Sequence, residues 1–233
     1  MPINYDRSAW PTGFYIGPKG KTASQEQIDA FSSLPVANIG DCMGRSTGTI
    51  GLKVYHGDIG LKIAGSAVTV RVRPGDNLMI HKAIELAEAG NVIVVDGGGD
   101  LSQALMGGLM RATMITKGIS GVVLNGAIRD VEDWAQGIIG AYALGHTFRG
   151  PSKDGPGEIN VPVSCAGLVV EPGDLIIGDG DGVIAVPVDR IDSLLPQVQT
   201  QHEREQKTME ANRQKLPDPE RFNSVLRKLG CPL

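Results

Sequence analysis

With 233 residues, 41% apolar and only 4% aromatic, the chain can bury one large core, built from Val, Ile, Leu, Ala and Met. A formal charge of -4 without a long basic run excludes a broad nucleic-acid footprint. Cys42, Cys165 and Cys231 lie far apart with no CxxC pair, which argues against a disulfide framework or a zinc site and makes a reducing cytoplasm the expected home. No run approaches the roughly 18 apolar residues of a membrane span. Residues 1–20 lack the charged and apolar regions of a signal peptide, so an unexported protein is expected.

Residues 1–24, rich in Pro, Gly and Tyr, read as an irregular arm. A short helix is predicted from Gln25 to Leu34, with Ser24 as cap and Gln27 three residues on. Two strands are expected at 61–64 and 67–72, separated by Gly65-Ser66, with Val68, Val70 and Val72 on one face. Arg73 to Asn77 reads as a turn, and Asp76 or Asn77 can cap a helix from Leu78 to Ala89 that Gly90 stops. The β-branched run Asn91 to Val95 has the character of a strand buried on both faces. It ends in the loop Asp96 to Asp100. A helix with Leu101, Leu105, Leu109 and Ala112 on one face is expected next, ended by Gly118.

The strand Val122–Leu124 then completes a βαβ unit, so the two strands should be parallel. The Asp96–Asp100 loop and the residues after the turn Asn125 to Ile128 should therefore face one crevice, the usual ligand edge of an α/β sheet. Residues 136–187 hold short strand candidates at 138–144, 161–163, 167–170, 175–177 and 183–186, which look antiparallel. A polar helix is predicted from Arg190 to Lys215, broken by Pro217-Asp218-Pro219, with a last helix from about Glu220 to Leu229. So polar a helix is expected to lie across a neighbouring subunit.

Most local motifs have plain readings. Gly97-Gly98-Gly99-Asp100 fails the dinucleotide pattern, since position 102 is Ser, and reads as a strand-exit loop or crevice lining. Asp179-Gly180-Asp181-Gly182 lacks the calcium-loop ligand set and reads as a hairpin turn. His56, His81, His146 and His202 are scattered without metal-ligand spacing, and His81 reads as a surface or supporting residue. Arg129-Asp130 is the feature that carries chemistry. Taken alone it could be a solvated ion pair or an N-cap. At a strand exit facing the Gly107-Gly108 helix entry, it could instead hold a carboxylate and a metal ion at one point.

At these residues the chain resembles the RraA-like family, which includes 4-hydroxy-4-methyl-2-oxoglutarate / 4-carboxy-4-hydroxy-2-oxoadipate aldolases. The matching segments are 74–77, 94–98, Gly107-Gly108-Leu109-Met110, 117–123, Gly126-Ala127-Ile128-Arg129-Asp130 and 172–183. The resemblance implies a three-layer β/β/α swivelling-domain α/β fold with a C-terminal helical extension. The expected division is an arm at 1–24, the RraA-like domain at 25–188 and the extension at 189–233. It also implies a homotrimer or homohexamer with sites between subunits.

The implied activity is divalent-metal-dependent cleavage of a small 2-oxo acid, either pyruvate-releasing aldol cleavage or oxaloacetate decarboxylation. Arg129 would bind the substrate carboxylate, and Asp130 would hold Mg²⁺ or Mn²⁺. The backbone amides of Gly107, Gly108, Leu109 and Met110 would receive the substrate. The family aldolases carry an acid, then twenty residues, then Arg-Asp; here position 108 is Gly. Asp96, Asp100 or a partner-chain Glu are the expected substitutes. Glu203, Glu205 and Glu210 are the candidates for an acid on a neighbour's C-terminal helix. The alternatives are a non-catalytic regulator of an RNase E-type ribonuclease, or another lyase or hydrolase reaction in the same crevice.

Overall fold

The computed structural model describes residues 3–216, 218 and 220–233. After a 3-10 turn at Arg7–Ala9 come β1 (Phe14–Ile16), α1 (Gln25–Ser32), α2 (Val36–Cys42), β2 (Lys53–Val54) and β3 (Ile63–Val72). The middle of the chain forms α3 (Leu78–Leu86), β4 (Val92–Asp96), β5 (Ala104–Met106), α4 (Gly108–Thr116), β6 (Gly121–Ile128), α5 (Val131–Trp134) and β7 (Gly140–His146). Then follow β8 (Gly157–Ile159), β9 (Val163–Cys165), β10 (Leu168–Val170), β11 (Leu175–Asp179), β12 (Gly182–Val186), α6 (Ile191–Arg213) and α7 (Glu220–Lys228).

The centre is a sheet in which β3, β4, β6 and β7 run parallel. Side chains alternate across a strand, and β4 shows what that does. Ile93 and Val95 pack with Ile80 and Ile84 of α3 and Met110 and Met114 of α4. Val92 and Val94 pack on the opposite face with Val163, Leu168, Ile176 and Val183. Both faces are covered, so β4 reads as an unbroken apolar run, as parallel strands do. Helices, sheet and the β9–β12 hairpins are the three layers of the expected β/β/α fold. A further cluster puts Leu175, Ile177 and Ile184 against Phe31, Ile39, Ile191 and Leu194 of α1, α2 and α6. Ile191, Leu194 and Val198 thus bury the start of α6 within its own chain, while α7 buries nothing.

Several local expectations hold. Ser24 and Gln27 form a reciprocal capping box at α1. Gly118 lies past the end of α4 with φ +69°. Asp179 pairs with Gly182 across the β11–β12 turn.

Others are corrected by tertiary pairing. The arm contains β1, which pairs with β8. The two strands expected around Gly65-Ser66 are one strand, β3, which changes partner there from β11 to β4. A Cβ at Gly65 would lie 1.9 Å from the Gly90 carbonyl, so the glycine marks a close approach rather than a break. α3 stops at Leu86, before Gly90.

The helix expected from Leu101 does not start there. Leu101 is exposed, and Ala104–Met106 form a buried strand paired with the end of β6. That pairing also turns the expected loop Asn125–Ile128 into strand. β7 is parallel to β6 rather than antiparallel, because α5 crosses over between them, anchored by the fully buried Trp134. The expected break of the polar helix at Pro217 and Pro219 lies outside the described residues.

Candidate active site

β5 and β6 leave the sheet together: the Arg129 N–H donates to the Met106 carbonyl at 2.9 Å. This brings Gly107, which follows β5, beside Arg129, which follows β6. Asp130 then takes φ 57°, ψ 47°, the left-handed conformation that Asp tolerates better than most side chains, and turns the chain into α5. Its carboxylate does not cap α5. Instead Oδ2 accepts the backbone N–H of Gly108 at 2.8 Å, capping α4, whose own N-cap, Gly107, has no side chain to do so. A carboxylate is favoured at that positive helix end. The next two helix-start amides, Leu109 and Met110, have no acceptor within the helix.

Arg129 Nε lies 3.6 Å from Asp130 Oδ2, and both side chains are about two-fifths exposed. Such a pair contributes about 0–1 kcal/mol, too little to explain the geometry built around it. A side chain at either glycine would crowd these groups. A Cβ at Gly107, whose φ is −152°, would lie 2.5 Å from Asp130 Oδ2 and 2.9 Å from Arg129 Cγ. A Cβ at Gly108 would lie 2.2 Å from Asp133 Oδ2.

Arg129 stands between two cavities. One, of about 80 Å³, is lined by Asn77, His81, Met106, Gly107, Arg129 and Lys153 among others. The other is lined by Arg129, Asp130, Val131, His146, Thr147 and Phe148. Asn77 is 3% exposed; its amide donates to the Leu105 carbonyl, and its Oδ1 is buried without a partner among the described residues. Partial desolvation, with help from the Lys153 charge, lowers the His81 pKa from the ordinary histidine value.

Lys153 is placed by Asp76, whose fully buried carboxylate accepts from Ser152 Oγ, Asp154 N and Leu78 N. Burial raises the Asp76 pKa, but these hydrogen bonds outweigh it and hold the group ionised below its ordinary value.

Arg129, Asp130 and Gly107 to Met110 therefore do converge. Asp96 and Asp100 do not join them. Neither lines these two cavities, and both carboxylates fold back on their own loop, accepting from Gly98 N and from Ser102 N and Oγ. β6 runs on three residues past the Asp96–Asn125 pairing, so Arg129 opens beyond that loop. Glu205 is bound by Asn38 Nδ2 at 2.6 Å within its own chain, and Glu203 faces a cleft between α6 and α7. Sequence reading missed Asn77 as a lining residue, Lys153 and Asp133. Only Asp133 left a trace, as an acid one turn beyond Asp130. Among the described residues no three His, Cys, Asp or Glu side chains enclose a metal-sized space.

The family model described as RraA-like: Aldolase/RraA matches residues 36–185. A protein of Halalkalibacterium halodurans, provisionally named a 4-hydroxy-4-methyl-2-oxoglutarate aldolase, is 38% identical over 176 residues, covering 74% of this chain and 83% of that one. The 4-hydroxy-4-methyl-2-oxoglutarate aldolase of Thermus thermophilus is 40% identical over 126 residues, covering 54% of this chain and 76% of its own. A solved structure described as the RNA-processing inhibitor RraA of Thermus thermophilus superposes with a TM-score of 0.60 at 34% identity, over 66% of this chain and 92% of that one.

Proposed function

We propose that this chain, which belongs to the RraA-like family, is a divalent-metal-dependent carbon–carbon lyase acting on a small 2-oxo acid in the cytoplasm. Pyruvate-releasing aldol cleavage is the first reaction in view, and oxaloacetate decarboxylation the second. The observation that carries the reading is convergence. Arg129, Gly107, Leu109 and Met110 line one small cavity, Arg129 and Asp130 line the next, and the Asp130 carboxylate holds the Gly108 amide at the start of α4.

Each group has a task. Arg129 offers the planar fork that matches a carboxylate. The α4 amides favour the anionic end of a pyruvyl group. Lys153 and His81 line the same cavity and offer a cation and a ring N–H to a second carboxylate.

The residues fit a hydrated ion rather than a protein cage: one carboxylate, Asp130, presents an oxygen beyond the one that caps α4, beside the substrate space. Mg²⁺ favours such sites, keeping several waters, and Mn²⁺ shares its preference for oxygen ligands. When bound, the ion supplies Lewis-acid stabilisation to negative charge on the 2-oxo oxygen. We further read 189–233 as an extension that meets a neighbouring copy in a trimer or hexamer. Along α7 and just past its end, Phe222, Val225, Leu226 and Leu229 form an exposed apolar stripe at helical spacing.

The test is pyruvate release from 4-hydroxy-4-methyl-2-oxoglutarate and from oxaloacetate, with and without Mg²⁺ or Mn²⁺. Metal-dependent release should fall at least about tenfold in Arg129→Lys and further in Arg129→Ala, since a charge-assisted pair is worth roughly 1.5–3 kcal/mol. No turnover of any 2-oxo acid with any metal sinks the reading. It would favour the second one, a ribonuclease-binding regulator, for which the name of the Thermus structure speaks.

A further inference from the structure

We propose that Asp133 supplies the second carboxylate of this site, in the space that a side chain at position 108 would occupy. It acts as a positioning residue that orients solvent beside Asp130. The inference rests on the lyase reading above. Its basis is a single point in space: the Cβ that Gly108 lacks would lie 2.2 Å from Asp133 Oδ2 and 3.5 Å from Asp130 Oδ2. Two carboxylates thus border one spot over the first turn of α4.

The fold aims Asp133 there. Asp130 starts α5 from a left-handed residue, and the Asp133 N–H donates to the Asp130 carbonyl at 3.0 Å, so one tight turn carries both acids. Asp133 is half-buried, and among the described residues its carboxylate takes part in no hydrogen bond or ion pair. It is not consumed in holding the structure. Asp130, which shares this spot, also lines the cavity formed with Arg129, Val131 and His146.

The chemistry needs such a group. In cleavage of a 4-hydroxy-2-oxo acid the hydroxyl proton leaves as the C3–C4 bond breaks. The C–O bond becomes a carbonyl, and the electron pair passes into the enolate of pyruvate. The enolate carbon then takes up a proton, so the net proton count is unchanged. One carboxylate, working through an oriented water, can receive the first proton and return the second. Gly108 cannot do this, and Asp96 and Asp100 are turned into their own loop.

The experiment compares wild type, Asp133→Asn, Asp133→Ala and the double variant Asp133→Ala/Gly108→Asp. The readouts are kcat and KM for pyruvate release, exchange of the pyruvate methyl protons with D2O followed by NMR, and Mn²⁺ affinity without substrate followed by EPR. In Asp133→Asn, kcat and methyl exchange should both fall about 10²-fold, with KM nearly unchanged because Arg129 is intact. Mn²⁺ binding should weaken about tenfold, as for other groups that orient metal-bound water. Gly108→Asp should restore much of the loss in Asp133→Ala, since removing the Asp133 side chain frees the space for a new one.

An active wild type whose Asp133→Asn variant keeps kcat and exchange within about twofold overturns this proposal alone. So does a folded double variant that recovers nothing. A wild type with neither turnover nor exchange overturns the lyase reading and this proposal with it.

Discussion

The Asp130 carboxylate accepts the backbone N–H of Gly108 at 2.8 Å, so the residue that leaves β6 caps the helix that precedes β6 in the chain. One group thereby fixes the entry of α4 and lines the cavity shared with Arg129 and His146.

Asp130→Asn and Asp130→Ala should separate the structural from the chemical part of that role. Asn keeps an acceptor for Gly108 and tolerates the left-handed backbone, so its unfolding free energy should stay within about 0.5 kcal/mol of wild type. Ala loses the cap and strains at φ 57°, for a cost of about 2 kcal/mol. Both should lose divalent-metal affinity. Urea unfolding and Mn²⁺ titration check this; undiminished metal binding in Asp130→Asn would remove Asp130 from the metal's coordination.

Gly107→Ala is expected to damage activity more than stability. Its backbone is extended and suits any residue, so no conformational penalty applies. The added methyl would lie 2.5 Å from Asp130 Oδ2 and 2.9 Å from Arg129 Cγ, and those half-exposed side chains can move aside. Displacing them should cost at least about tenfold in kcat/KM, because misplacement on the scale of 1 Å is enough for 10²-fold. The check is steady-state kinetics beside a melting curve. Normal kinetics would show that the Arg129–Asp130 placement is not needed.

His56 gives a pH prediction away from the site. It is fully buried, its Nδ1 accepts the Ala141 N–H at 3.0 Å, and its Nε2 has no partner among the described residues. Burial lowers its pKa below the ordinary 6.5. The unfolded chain therefore binds the proton first as pH falls. The stability that His56 contributes is present above 6.5 and drains away as pH drops from there toward the lowered folded value. His56→Gln, which keeps an acceptor but cannot charge, should show a shallower loss of stability between neutral and mildly acidic pH. Parallel slopes in wild type and variant would contradict this.

Deleting residues 217–233 tests the proposed assembly. α7 buries none of its residues, so the melting temperature of the isolated chain's core should hardly move. If Phe222, Val225, Leu226 and Leu229 meet a neighbouring copy, light scattering should report a smaller assembly for the truncated protein. An unchanged mass would take α7 out of the interface.

Elements driven by local rules were legible. The capping box at Ser24, the doubly buried run Val92–Val95, the Asp179–Gly182 turn and the long polar helix each follow from residues close in the chain. The sheet edge that carries Arg129-Asp130 was legible too, because a βαβ unit fixes strand direction. Leu101, Leu105 and Leu109 misled, since their spacing is helical while Leu105 lies in a strand. Periodicity cannot see that β6 offers Ala104–Met106 a free edge.

By itself, then, the sequence determined which residues could do chemistry: an Arg-Asp pair after a buried strand, and a Gly-Gly entry to a helix. Only the tertiary structure decided how they meet. β5 had to pair with β6 to bring Gly107 beside Arg129, and Asp76 had to gather Ser152 and Asp154 to bring Lys153 to the cavity. α5 had to turn tightly for Asp133 to fill the space above Gly108. Those are contacts between residues distant in the chain or across a turn, set by hydrogen bonding and packing, which neither composition nor spacing encodes.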